Sequence, residues 1–146
     1  MINSVVLVGR LGNDPEMRYA SSGTPITNFR VAVNRPPRGG SDEQETDWLN
    51  VVCFGKTAEF VAQYLDKGAL VGLEGRVQSR TWEGQDGKRR YEVEINAFRV
   101  QALETRQEAE RRRSAQPSRP EPEAEAAPPP EAFDDVDEQD DPFADQ

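Results

Sequence analysis

The 146 residues contain no histidine, one cysteine and two tryptophans. Without imidazole there is no His general base, no His-paired nucleophile and no His-ligated metal, which excludes much of ordinary enzyme chemistry. The lone Cys53 can form neither an internal disulfide nor a cysteine zinc cage, as suits a reducing compartment. No apolar run reaches the roughly eighteen residues of a membrane span. The opening stretch MINSVVLVGRLGNDPE has no basic segment ahead of an apolar one, so no secretory leader is expected and the expected location is the cytoplasm. The length suits one modest folded domain.

Basic side chains are outnumbered, 18 Lys and Arg against 27 Asp and Glu, for a net charge of −9. That sum suggests avoidance of nucleic acid, but the charge is not spread evenly. Residues 1–113 hold 17 basic and 16 acidic side chains, a net of +1, whereas from Ser114 onward one Arg faces 11 carboxylates, a net of −10. The second part also holds seven of the eleven prolines, with only Phe133, Val136 and Phe143 as large apolar residues. It buries too little to offset the entropy of ordering and is expected to be a disordered acidic tail. Its carboxylates have no fixed geometry for a cation, so neither metal nor cofactor is expected. Between the parts, ETRQEAERRR (104–113) is helix-prone, with Glu108 and Arg112 at i,i+4 spacing and no apolar face, and reads as a solvated extension. The expected organisation is a folded domain over 1–105, a charged extension over 106–113, a Pro/Glu-rich linker over 114–139 and an acidic tip over 140–146.

The folded part reads as five strands and one helix. NSVVLVG (3–9) is nearly continuous and β-branched, which predicts a strand covered on both faces, central or in a subunit contact. ITNFRVAVN (26–34) alternates, with Phe29, Val31 and Val33 on one face and Asn28 and Arg30 on the other. The loop RPPRGGSDEQET (35–46) that follows leaves Arg35 and Arg38 free to reach a ligand. TDWLNVVCF (46–54) puts Leu49, Val51 and Cys53 opposite Trp48, Asn50, Val52 and Phe54. KTAEFVAQYLDKG (56–68) predicts a helix with Thr57 as N-cap and Gly68 at the left-handed C′ position. ALVGLEGRVQSRTW (69–82) turns Val71, Leu73, Gly75 and Val77 inward, with Gly72 and Gly75 permitting a bend. An Asp86-Gly87 turn leads into RYEVEINAFRV (90–100), with Tyr91, Val93, Ile95 and Ala97 inward. Five strands with one helix between the third and fourth is the connectivity of an all-β OB-fold barrel. An SH3-like barrel or a ferredoxin-like α+β sheet is compatible with the same pattern.

The binding chemistry sits on the outward faces. Trp48 and Phe54 lie opposite the inward residues of their strand, and Trp82 shares a face with Arg76 and Arg80. Nucleobases stack on such rings at roughly 1–3 kcal/mol per base, while nearby cations neutralise phosphates. One outward ring is equally well explained by capping a barrel end; three beside arginines favour a single strand of nucleic acid. Taken singly, Arg35, Arg38, Lys56, Arg76, Arg80, Lys88, Arg89 and Arg90 are ordinary solvated charges, but they cluster on two loops and the aromatic face. Duplex reading lacks a basic recognition helix, and no nucleophile-base pair is in sight.

VVLVGRLGNDPEMRY (5–19), TDWLNVVCFGKTAEFVAQYLDKG (46–68), LEGRVQSRTWEGQDGKRRY (73–91) and DDPF (140–143) together resemble the bacterial single-stranded DNA-binding protein family. The resemblance implies an OB barrel that assembles as a homotetramer and binds single-stranded DNA without sequence preference in replication, recombination and repair, in the cytoplasm at the nucleoid. It matches Trp48, Phe54 and Trp82 to base-stacking positions, Lys56 and Lys67 to basic positions around the helix, and Arg80 and Arg90 to phosphate contacts. Asp140, Asp141, Pro142 and Phe143 match the tip that docks into replication, recombination and repair proteins. Two departures stand out. Pro37 occupies the place of a further Trp, implying one stacking platform fewer, and Ala144, Asp145 and Gln146 follow the Phe143 that usually ends such tails. Other readings are an RNA-binding OB protein and a protein-binding OB adaptor, the latter predicting no acidic tail.

Overall fold

Alternation of apolar and polar residues decides which strand faces reach the core. The computed structural model describes residues 1–40 and 42–116; the linker from 117 onward and the tip residues Asp140, Asp141, Pro142 and Phe143 lie outside the described residues. The elements are β1 (Val5–Leu11), β2 (Glu16–Tyr19), β3 (Pro25–Asn34), β4 (Thr46–Phe54), α1 (Gly55–Tyr64), β5 (Leu70–Glu83), β6 (Arg89–Ala102) and α2 (Arg106–Ala115). The strands run β1-β5-β6-β4-β3-β2, and β1 also pairs with β3 through Arg10 and Leu11, closing a five-stranded OB barrel. All pairings are antiparallel except β4 with β6. The short β2 joins β3 over Pro25–Asn28. Its four exposed residues give no apolar alternation by which to read it.

The core contains Leu11, Phe29, Val31, Val51, Cys53, Val71, Leu73, Ile95 and Ala97, to which α1 adds Ala58, Val61 and Leu65. Each large aliphatic side chain fully buried there contributes about 1.5–3 kcal/mol. Thr27 is buried among them and donates its Oγ1 hydrogen to the Ala58 carbonyl at 2.8 Å, tying β3 to α1 without leaving a polar group unpaired.

Within the protomer β1 is covered on one face, with Val6 and Val8 exposed on the other. Three expectations are corrected. Thr57 does not cap α1: Gly55 (φ +64) turns the chain from β4 straight into the helix, Phe54 becomes the N-cap residue, and the Thr57 hydroxyl bonds the Phe98 carbonyl at 3.2 Å. The helix ends at Tyr64 because Leu65 turns extended and buries itself, so Gly68 (φ +88) belongs instead to a turn closed by Ala69 N–H on Asp66 O at 3.1 Å. Val77, Tyr91 and Val93 are exposed rather than inward. A bulge at Glu74/Gly75 shifts the register, and among the described residues the strands β5 and β6 pair only with each other beyond Val77 and Ile95, forming a two-stranded arm. Gly75 is needed there, since a Cβ would collide with the Asn96 carbonyl.

The charged stretch after the barrel is also held differently from its expected Glu108–Arg112 pair. Thr105 and Glu108 form a reciprocal capping box, the Glu108 carboxylate accepting from Thr105 N–H at 2.6 Å and the Thr105 hydroxyl from Glu108 N–H at 3.2 Å. Arg112 instead donates to Glu104 (2.7 Å), Asp66 (2.8 Å) and the Lys67 carbonyl (2.7 Å), which anchors α2 to the turn after α1.

Candidate nucleic-acid interface

The outward face of β4 carries Trp48, Asn50 and Phe54, and the β3 register sets Ala32, Arg30 and Ile26 directly opposite them. Trp48 is 53% and Phe54 42% exposed. Six residues of strand separate the two rings by roughly 20 Å. The Trp48 ring lies against Gly12, where a Cβ would come within 2.6 Å of its Cζ3, and the Arg30 guanidinium stands over it, 5.5 Å from the centroid. Gly12 thus makes room for the ring, and Arg30 steadies it through a cation–π contact.

Beside this face lies an open groove of about 390 Å³, lined among others by Asn13, Arg18, Arg30, Asn50, Arg80 and Glu92. The last three are linked: Asn50 Nδ2 donates to Glu92 Oε1 at 3.0 Å, and Arg80 Nη2 to Glu92 Oε2 at 3.3 Å. This link joins the barrel face to the arm. Farther out, Trp82, 43% exposed, pairs across the arm with Arg90, whose guanidinium stands 5.4 Å from the ring centroid. The two tryptophans therefore share one environment, a half-open ring beside a guanidinium.

The structure brings Trp48 and Phe54 onto the barrel side and Arg80, Trp82 and Arg90 onto the arm, with exposed Lys88 and Arg89 close to its tip. The turn there is closed by Gly87 N–H on Gly84 O at 3.0 Å, with Gly87 at φ +75. Lys56 and Arg76 are exposed but do not line the groove. Lys67 is exposed in the turn after α1, with its N–H bonded to Asp14 and its carbonyl to Arg112. Arg38 is exposed. Arg35 is not free: it makes a two-pronged contact to Asp47 (3.0 and 2.8 Å) and a 2.6 Å contact to Glu45. That pairing raises the guanidinium pKa, chiefly through the Asp47 hydrogen bond, and lowers the Asp47 carboxyl. Sequence reading could not see it, because Asp47 shares strand parity with the inward Leu49 and meets Arg35 only once the loop has folded back. Sequence reasoning also missed Asn13, Arg18 and Arg30 as groove residues. Arg30 carried a signal, since it sits outward on β3, but only the β3–β4 register sets that strand face against Trp48.

Cys53 is fully buried, and desolvation pushes its thiol up to about 12 despite a contact to the Thr27 carbonyl. It is an inert core residue. No helix among the described residues is long and apolar enough to cross a membrane.

Residues 2–103 match the model of the single-strand binding protein family. The chain is 53% identical over 107 residues to "Single-stranded DNA-binding protein 3" of Listeria innocua serovar 6a, covering 73% of this chain and 67% of that one. It is 48% identical over 106 residues to the "Single-stranded DNA-binding protein" of Oceanobacillus iheyensis (73% and 66%) and 50% identical over 106 residues to that of Bacillus cereus (73% and 62%). The alignments thus span about two thirds or less of these relatives' own lengths. A closed five-stranded barrel with a helix before its fourth strand, bearing outward rings beside arginines, is what those residues build, and the chain belongs to the single-strand binding protein family.

Proposed function

We propose that this chain binds single-stranded DNA without sequence specificity, protects it during replication, recombination and repair, and carries out no chemistry on it. The observation that carries the reading is the pair of half-exposed tryptophans, each beside a guanidinium, at the two ends of one groove-and-arm surface. Bases stack on Trp48, Phe54 and Trp82. Phosphates are neutralised by Arg80, Arg90, Lys88 and Arg89, with Arg38, Arg76, Lys56 and Lys67 along the path, and Arg35 contributes only if the strand displaces its carboxylates. Stacking serves any base, which accounts for the absence of sequence preference. The relatives' names support the ligand.

The protein acts as a homotetramer in the cytoplasm, at the nucleoid. Outward Val6 and Val8 on β1 support a subunit contact, since paired apolar strand faces are removed from water on association. The acidic segment recruits replication, recombination and repair proteins through Asp140, Asp141, Pro142 and Phe143, with ring insertion and carboxylates against basic rims.

The test is anisotropy titration of labelled oligo-dT across salt concentrations with wild type, Trp48→Ala and Trp82→Ala. Wild type should bind with an affinity that falls as salt rises, and each variant should bind about 5- to 150-fold more weakly with an unchanged circular dichroism spectrum. Folded variants of undiminished affinity would remove those rings from the site.

A further inference from the structure

The guanidiniums of the groove, the arm and the β3–β4 loop differ in what already holds them. Arg80 is bonded to Glu92, Arg90 lies 3.9 Å from Asp86, and Arg35 is held by Asp47 and Glu45. A phosphate reaching any of these competes with a carboxylate in place. Arg30 is different. It lines the groove on β3, its side chain is exposed, and among the described residues no carboxylate lies within ion-pairing distance of it. Among the described residues its side chain's one partner is the Trp48 ring, 5.5 Å away. Its backbone is fixed independently, the Arg30 N–H donating to Asn13 Oδ1 at 2.8 Å and its carbonyl accepting from Gly12 N–H at 2.8 Å. The side chain is therefore presented from a rigid strand, and only the guanidinium has freedom to move.

We infer that Arg30 is a further DNA-contacting residue, which rests on the proposed single-strand binding: it covers the Trp48 ring in the free protein and passes to a backbone phosphate when a base takes the ring. The exchange is chemically matched. A stacking base needs the π face that the guanidinium covers, and the nucleotide that brings the base also brings a phosphate, a stronger partner for guanidinium than an exposed indole. Arg18, on the outward side of β2 where its register partner is Ile26, lines the same groove without a carboxylate partner among the described residues, and extends the unpaired charge toward that edge. In this way the groove's guanidiniums without a carboxylate partner lie on β2 and β3, in a lining that also holds Glu16 and Glu94, while Arg80 and Arg90 of the arm are each paired with one of its acids.

The experiment compares wild type, Arg30→Gln and Arg30→Lys by anisotropy of labelled oligo-dT over a salt series, with circular dichroism and thermal melting as the fold check. Arg30→Gln should melt like wild type, bind about tenfold more weakly at low salt, and show a slope of log K against log salt shallower by about 0.7, one single-strand phosphate contact per protomer. Arg30→Lys should recover the slope but not the full affinity, since an ammonium gives one point contact where the planar fork gives two. A merely structural role would leave the slope unchanged. Arg30→Gln that binds with wild-type affinity and slope, while Trp48→Ala binds weakly, overturns the Arg30 assignment alone. Wild type that ignores oligo-dT overturns the binding reading itself.

Discussion

The barrel and the β5–β6 arm are made of the same two strands, follow the same period-two alternation, and end in opposite environments. Up to Gly75, alternate residues of β5 are sealed, Val71 and Leu73 among them; past it, Val77 is exposed, as are Tyr91 and Val93 on the facing stretch of β6. Nothing in the side-chain pattern changes at that point. What changes is the number of neighbouring strands: in the barrel β5 has β1 on one side and β6 on the other, whereas in the arm each strand has only its partner. An apolar residue on a two-stranded ribbon has no second layer to bury against. Apolar alternation therefore marks a core in one region and a contact surface in the other, and the arm is where the second tryptophan stands.

The sharpest way to break this comparison is to truncate matched residues in the two regions. Leu73→Ala in the barrel should cost about 2–5 kcal/mol, whereas Val93→Ala in the arm should stay within about 0.5 kcal/mol, both measured by urea unfolding. A large loss at Val93 would mean that the arm packs on something. Next in size is the anchor of α2. Arg112 and Glu104 side chains are only 14% and 10% exposed, so Arg112→Met, which strands the Glu104 carboxylate, should destabilise by about 1–3 kcal/mol; losing a more exposed pair such as Arg80–Glu92 costs about 0–1 kcal/mol.

A smaller effect appears with pH. Burial pushes the Asp66 carboxyl up, but hydrogen bonds and charge from Arg112 and Arg113 outweigh it and leave the group below its ordinary 3.8. A carboxyl depressed in the folded state stabilises above its unfolded pKa, and that contribution is lost as pH falls through the lower folded value. Acid titration of stability below about pH 4 should therefore be shallower in Arg112→Met than in wild type. Smallest of all, Cys53 should resist a thiol-specific reagent at neutral pH until the barrel unfolds, because its thiol is buried and raised to about 12.

Much of the site was legible because outwardness is a local property. Trp48 and Phe54 announce themselves by sharing parity on a strand whose other parity is Leu49, Val51 and Cys53, and Trp82 shares parity with Arg80. Arg30 has the same legibility and gained meaning only from the β3–β4 register, which sets it opposite Asn50 and one step from Trp48. Arg35 is the converse case: its loop position suggested freedom, and the hairpin closed it onto Asp47. The helix boundaries were misread for a related reason. Thr57 and Gly68 have suitable cap chemistry, but the conformation of Gly55 and the burial of Leu65 moved both ends.

By itself the sequence determined the number and order of the barrel strands, the place of α1 among them, the division of charge at Ser114, and the outward placing of Trp48, Phe54 and Trp82, since each follows from composition or from a repeat spanning a few neighbours. Tertiary structure alone decided where the barrel stops and the arm begins, which arginines are already paired, and what lies over each tryptophan. These depend on contacts between residues far apart in the chain, such as Arg112 with Asp66 or Asn50 with Glu92, and no local pattern encodes which distant partner closes the distance first.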